Sequence, residues 1–194
     1  MEFSTEQKIR EVAFRDFLEK GYEATNLRDI SKEVGIKASS IYFYYKSKKD
    51  LFVKIYDSIC YEQMEKIKKI VELKEGLPAK EVLYLVFLNR LQTCINYSAP
   101  FKFLLRYRLF PADELQNETR DRYKNWQDEE FNVLQPIIVS CIASNDINQR
   151  INEKVFFQKY KRLENEHINE MLIAGIVIAE DEIESNWKNF WERS

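Results

Sequence analysis

The sequence predicts an all-α protein of about nine helices. Only four glycines and four prolines occur in 194 residues, well below average usage, which argues against collagen-like, low-complexity and loop-rich β architectures. Apolar residues recur at helical spacing along most of the chain, and no stretch keeps the alternation of a half-buried strand. The few glycines and prolines stand where one helical pattern stops and the next begins. With 45% apolar and 32% charged residues, the chain can build a core and a solvated surface.

The first helix opens on Ser4-Thr5-Glu6-Gln7, a capping box in which the Gln7 side chain reaches back to the Ser4 backbone. It carries Ile9, Ala13 and Phe17 on one face and ends at Gly21. Asn26 caps a short second helix with Asp29 at its third position, Leu27, Ile30 and Val34 inward, and Gly35 at its end. A third, about two turns long, repeats the spacing through Ala38, Ile41 and Tyr45. Ser47-Lys48-Lys49-Asp50 caps a long fourth helix with Leu51, Phe52, Ile55, Ile59, Ile67 and Ile70 inward, running to Gly76. Pro78 opens a fifth, apolar on all sides from Val82 to Leu88, as suits a helix surrounded by others. Pro100 and Pro111 mark two further starts. The second of these leads into a long segment with Leu115, Tyr123, Trp126, Val133, Ile137 and Cys141 inward, a kink at Pro136 and an end at Asn145-Asp146. The stretch from Asn152 to Arg193 is helical, interrupted near Gly175 to Asp181, and its last helix holds Trp187, Phe190 and Trp191.

Charge and cysteine content bound the function. Thirty basic against 32 acidic residues give a net charge of −2, so any nucleic-acid surface must be local. Cys60, Cys94 and Cys141 stand far apart with no C-x-x-C pair, which indicates neither a zinc cluster nor a disulfide framework. The longest apolar stretch, Met171 to Ala179, falls far short of the roughly 20 residues that span a bilayer. The N-terminus has no basic start followed by an apolar run. These features point to a reducing, cytoplasmic setting without membrane attachment, and no residue set calls for a cofactor.

Two short helices joined by a tight glycine-bearing turn, with a third packed across them, form a helix-turn-helix, whose second helix enters the DNA major groove. The third helix would be that reader. With Ala38, Ile41 and Tyr45 inward, Phe43 and Tyr44 face out, and exposed aromatics suit a partner. Residues 37 to 49 contain Lys37, Lys46, Lys48 and Lys49 and no acid, a cationic edge of the kind that phosphate binding requires.

The run from Gly21 to Ile30, then Val34-Gly35-Ile36, then Ser39-Ser40-Ile41-Tyr42-Phe43-Tyr44-Tyr45-Lys46-Ser47-Lys48-Lys49-Asp50-Leu51, closely resembles the N-terminal signature of the TetR (tetracycline-repressor) family of bacterial regulators. The resemblance covers residues 9 to 52. It departs at Ser39, where the family often has glycine, at Lys37 and Ala38, which replace a small-then-basic pair, and at Tyr45, which replaces phenylalanine. These changes touch base-reading positions and leave the operator sequence undetermined.

The resemblance implies a DNA-binding domain over residues 1–46 and a larger helical domain for ligand binding and dimerisation over residues 47–194. It places Thr25 and Asn26 against a phosphate with Arg28 close behind, and matches Tyr42, Tyr44 and Lys48 to phosphate-clamping positions. Lys37, Ala38, Ser39, Ser40 and Phe43 are left for base edges. Two of these residues have a second reading: Tyr42 as core packing, and Arg28 as a surface ion pair with Asp29 or Glu33. The family pairs its last two helices into a four-helix bundle, which here points to His167, Ile168, Met171, Leu172, Ile176, Trp187, Phe190 and Trp191; the same residues could instead fill the subunit's own core. A homodimer on a palindromic double-stranded operator follows, with two half-sites one turn of DNA apart.

The family's small-molecule effector cavity would be lined by Tyr84, Phe87, Leu91, Phe103, Leu104, Tyr107, Tyr123, Trp126 and Phe131, each of which could also simply pack the core. Arg106, Arg108 or Asn89 could orient a polar ligand group. The effector would shift the population toward a state whose reading heads are wrongly spaced, with the fourth helix as lever. An enzyme is the first competing class, but His167 is the single histidine, with Glu164 and Glu170 at i−3 and i+3, and no nucleophile or phosphate-loop motif accompanies it. A helical partner-binding module without DNA binding, and an activator using the same surface, are the other readings.

Overall fold

A computed structural model describes residues 4–147 and 150–192 of the chain. Arg193, the expected end of the last helix, lies outside the described residues. Nine α-helices and no strand occur among those described. The first, α1 (Thr5–Glu19), begins with both capping-box bonds: the Gln7 N–H donates to Ser4 Oγ at 3.2 Å and the Ser4 N–H to Gln7 Oε1 at 2.9 Å. The second, α2 (Leu27–Val34), is capped by Asn26 Oδ1, which accepts from the Arg28 N–H at 2.8 Å, and stops at Gly35, whose φ of +80° is left-handed.

A single 3₁₀ turn, Ala38–Ser40, precedes α3 (Ile41–Tyr44). The Ser47 Oγ accepts from the Asp50 N–H at 3.0 Å to start α4 (Lys48–Leu73), while Asp50 Oδ2 accepts from the Lys46 N–H at 2.8 Å. Pro78 precedes α5 (Ala79–Asn96). Helix α6 (Ser98–Leu109) starts two residues before the proline that marks it, leaving Pro100 in the first turn where no N–H is needed. After Pro111 and a short 3₁₀ turn, α7 (Gln116–Ala143) runs on through Pro136. It ends at Asn145, whose φ is +61°, with the Asp146 N–H bonded to the Cys141 carbonyl. Then follow α8 (Glu153–Asn169), a π turn over Glu170–Ala174, left-handed Gly175, and α9 (Glu180–Glu192). No described helix is long and apolar enough to cross a membrane.

The chain divides into two compact units. The first comprises Met1–Glu62 and Lys102–Lys124, the second Gln63–Phe101 and Asn125–Ser194. The core of the first is aromatic. Phe52 contacts Phe17 at 5.4 Å, Tyr22 at 5.5 Å, Phe103 at 5.4 Å and Tyr107 at 4.6 Å between ring centres. Helix α6 also grips the end of α1: the Tyr107 hydroxyl donates to the Phe17 carbonyl at 2.8 Å and Arg106 Nη1 to the Leu18 carbonyl at 3.3 Å. Gly21 beside them has φ +85°, and a Cβ there would stand 2.6 Å from Arg106 Nη2. Gly21→Ala is therefore expected to destabilise the fold by about 1–2 kcal/mol, chiefly through the left-handed backbone. In thermal unfolding this should appear as a Tm lowered by about 2–8 °C, and an unchanged Tm would refute it.

In the second unit, Phe87, Leu91, Leu134, Ile138, Phe156, Tyr160 and Trp187 form the buried cluster. The inward stripe of α7 is Glu130, Leu134, Ile138 and Cys141, with Val133 and Ile137 only half-buried. Cys141 is inward as read, and the sequence face is off by one position only at Val133 and Ile137, because apolar residues flank the stripe there. Embedded in this core are four charges. Lys161 Nζ donates to Glu130 Oε1 at 2.8 Å and to Glu164, and Arg90 stands 3.4 Å from Glu164 and 3.9 Å from Glu130.

Candidate nucleic-acid interface

Three helices fold around Ile9, Ala13, Phe17, Ile30, Ile41 and Tyr45, all buried. Ser31, not an apolar residue, completes the buried face of α2, its hydroxyl donating to the Leu27 carbonyl. The reading segment turns one edge inward through Ile41 and Tyr45. Ala38, expected inward, is exposed, because the 3₁₀ turn that opens the segment has a tighter pitch than the α-spacing assumed for it.

The outward edge carries Lys37, Ala38 and Ser39, with Tyr42 59% and Phe43 91% exposed. The core alternative for the Tyr42 ring is not what the fold adopts. Ser40 and Tyr44 are half-buried, and Phe43 and Tyr44 meet edge to face at 6.0 Å. Ser39, Ser40, Tyr42, Phe43 and Tyr44 line a shallow surface depression of about 540 Å³. Two adjacent exposed rings on one short segment form an apolar patch that folding leaves uncovered.

The four lysines of this edge divide into two kinds. Lys48 Nζ donates to the Tyr22 carbonyl at 2.8 Å and lies 4.2 Å from the centre of the Tyr22 ring, while Lys49 pairs with Glu118 at 2.9 Å. Lys37 and Lys46 are exposed, and among the described residues neither has an acidic partner. They are the two lysines of this edge that no described acid neutralises.

Thr25 is placed differently from its expected role. Its side chain is 3% exposed and its hydroxyl donates to the Gly21 carbonyl at 2.8 Å, so the group closes the turn and is not offered to a phosphate. Asn26 spends its carbonyl oxygen on the cap, leaving its amide nitrogen as an outward donor at the start of α2. Arg28 is exposed. The alternative that paired it with an acid is not adopted among the described residues, because Glu33 is taken bidentately by Arg15 at 2.7 and 2.6 Å. That contact holds the Glu33 carboxyl below its ordinary range. Burial pushes the neighbouring Asp16 carboxyl up, but hydrogen bonds from Lys20 and Arg15 outweigh it and keep it low and charged. Arg15 thus ties α1 to α2, a role the sequence did not announce.

The nine candidate cavity residues fall into two packed cores. Phe103, Leu104 and Tyr107 are buried in the first unit, where Tyr123 is half-buried with its hydroxyl accepting from Arg108 at 3.0 Å. Phe87 and Leu91 are buried in the second, where Tyr84 tilts against Trp187 at 5.1 Å, Phe131 meets Phe157 at 5.4 Å and Trp126 faces Arg90 at 4.7 Å. Of the candidate interface residues, His167, Ile168, Trp187 and Trp191 are buried within the single chain. Met171, Leu172 and Phe190 are half-buried. His167 donates from Nδ1 to the Leu163 carbonyl at 2.8 Å, so its Nε2 accepts from the Asn186 amide at 3.3 Å.

Residues 9–55 match the family model of bacterial regulatory proteins of the tetR family. The chain is 47% identical over 47 residues to the biofilm operon icaADBC negative transcriptional regulator IcaR of Staphylococcus epidermidis, covering 24% of this chain and 25% of that protein. It thus spans about a quarter of that relative's length. To the fatty acid metabolism regulator protein of Bacillus subtilis it is 23% identical over 151 residues, covering 76% of this chain and 73% of that protein. The solved structure of the transcriptional regulator FadR from Bacillus subtilis in complex with stearoyl-CoA matches with a TM-score of 0.72 at 19% identity, over 96% of this chain and 95% of that one, a likeness of fold. These relatives are regulators, not enzymes. By its reading head and the match over residues 9–55, the N-terminal part of the chain carries a domain of the tetR family of bacterial regulatory proteins.

Proposed function

We propose that this chain is a sequence-specific DNA-binding transcriptional regulator: a dimeric repressor released from a palindromic operator by a small ligand with an apolar or aromatic body. The observation that carries the reading is the outward edge of the reading segment, where Phe43 is 91% exposed beside Lys37 and Lys46, both exposed and without an acidic partner among the described residues. A buried or acid-paired edge would not serve a polyanion. Phosphates would be met by Lys46, Tyr42, Tyr44, Arg28 and the Asn26 end of α2, and bases by Lys37, Ala38, Ser39, Ser40 and Phe43. The protein would work in the cytoplasm, where its operator is.

A two-turn reader makes few contacts, so two copies are needed. The outward face of α8 and α9 supports pairing there. A groove of about 570 Å³ is lined by Lys159 and Arg162 toward the start of α8, and by Glu166, Glu170 and Glu182 toward its other end. A second copy related by a two-fold axis would set the cations of each against the acids of the other. The stearoyl-CoA held by the FadR neighbour supports a ligand with an apolar body.

Selection of bound DNA from a randomised pool, at two salt concentrations, tests this reading. An enriched palindrome with salt-weakened binding is expected. No enrichment at either salt, from protein shown by mass spectrometry to carry no small molecule, would overturn it.

A further inference from the structure

Among the described residues, Lys49 is the lysine of the reading edge that an acid holds. Its Nζ stands 2.9 Å from Glu118 Oε1. Lys49 lies in the first turn of α4 and Glu118 in the first turn of α7. Aligned backbone dipoles at a helix start favour an acid and disfavour a lysine. Glu118 therefore suits its position, whereas Lys49 stands at a helix end that attracts anions. Arg122, one turn along α7, backs the carboxylate: its Nη2 is 3.5 Å from Glu118 Oε2, and its Nη1 is 2.9 Å from Asp57 on α4. A ladder from Asp57 through Arg122 and Glu118 to Lys49 thus joins α4 to α7 within the first unit. The hydrogen bond from Lys49 holds the Glu118 carboxyl below its ordinary range, so it is an anion at neutral pH. Both ends of the pair are partly exposed, Lys49 at 40% and Glu118 at 35%, which leaves the bond open to water and salt and weak enough to be exchanged.

We propose that Glu118 is an internal rival of the operator phosphates for Lys49, and so sets how tightly the reading head holds DNA. The inference rests on the DNA-binding reading above. A carboxylate and a phosphate each take a charge-assisted hydrogen bond from an ammonium, and the two anions repel one another. Lys49 therefore reaches a phosphate only by leaving Glu118. Lys46, three residues earlier, meets no such rival among the described residues. The edge thus holds one lysine in reserve, and Glu118 determines whether it counts toward binding.

The experiment compares the full natural chain with Glu118→Gln, Lys49→Ala and the double variant by fluorescence anisotropy, on the selected palindrome and on a duplex of mixed sequence, at several salt concentrations. Glu118→Gln is expected to bind both duplexes about 2- to 30-fold more tightly at low salt, the release of one exposed pair in each half of the dimer. Its slope of log affinity against log salt should be steeper by about 1–2. Preference for the palindrome should not change, since phosphate contacts carry no sequence information. The gain should vanish when Lys49→Ala is made as well, a double-mutant cycle that isolates the pair. Without DNA, the Tm of Glu118→Gln should fall by no more than about 4 °C. A gain that persists without Lys49 would assign the effect to the lost negative charge and overturn the proposal. Unchanged or weakened binding by Glu118→Gln would overturn it too, and weakening would mark the pair as a brace that holds the head in its binding form. In those cases palindrome binding by the natural protein leaves the DNA-binding reading standing. Binding of mixed duplex by Glu118→Gln alone, and by none of the other three proteins, would support the rivalry and sink the sequence-specific reading. Binding by none of the four overturns both.

Discussion

Lys161→Met is expected to lower the free energy of unfolding by about 3–5 kcal/mol at neutral pH, the cost of leaving a buried charge without its partner. Lys161 is 6% exposed and joins Glu130 and Glu164, of which Glu130 is fully buried. Without the ammonium, two carboxylates share the Arg90 guanidinium, at 3.9 and 3.4 Å, as their cation among the described residues. Methionine fills much of the lysine stem's volume, so the loss reads charge and not a cavity. Urea unfolding followed by circular dichroism measures it, and a loss below about 1 kcal/mol would show that water already reaches the cluster.

The same variant has a pH signature. Burial pushes the Glu130 carboxyl up, but Lys161 and Arg90 outweigh it and hold it below its ordinary range. A carboxyl depressed in the folded state contributes stability above its unfolded value, about 4.3, and loses it as pH falls through the folded one. In the variant burial dominates, the folded value rises, and one carboxylate takes up a proton at mildly acid pH. The gap between the two proteins should therefore be widest near pH 7 and narrow toward about pH 4–5. A gap that stays constant over that interval would count against charge as its cause.

Helix ends were legible in the sequence because capping is local. Ser4 with Gln7, Asn26, Gly35 and Ser47 with Asp50 each find their partners within four residues. Thr25 is the instructive departure. A threonine just before a helix suggests a donor facing outward, yet the left-handed Gly21 aims a carbonyl at its hydroxyl, and that turn is fixed by α6 from far along the chain. Ala38 was misplaced because sequence spacing does not distinguish a 3₁₀ start from an α start. The Trp187 and Trp191 rings carry the pattern of either an interface or a core, and their packing against Phe87 and Phe156 within one chain has no signal in the spacing. The charge cluster had no signal at all: Lys161 and Glu130 lie 31 residues apart on different helices. Exposure of Phe43, by contrast, follows from periodicity once Ile41 and Tyr45 are inward.

Phe43→Ala is expected to cost about 1–2 kcal/mol of operator binding per half-site. A two-fold dimer carries each substitution twice, so the loss doubles and affinity falls about 30- to 1,000-fold. The ring is 91% exposed in the free protein, so folding stability should change by no more than about 0.5 kcal/mol, and the effect belongs to recognition. Lys46→Ala acts on a different quantity. It removes one phosphate contact per half-site, so the slope of log affinity against log salt should fall by about 2 for the dimer, with preference between operator sequences unchanged. Phe43→Ala should instead change preference and leave that slope alone. Lys48→Ala shows the contrast, because its ammonium already holds the Tyr22 carbonyl and ring, so part of its effect must appear as a lowered Tm in the absence of DNA. Fluorescence anisotropy on the selected palindrome and on a one-base variant, at several salt concentrations, separates these outcomes. If Phe43→Ala binds like the natural protein, the exposed ring has another partner, and the reading edge would have to be sought elsewhere on the head.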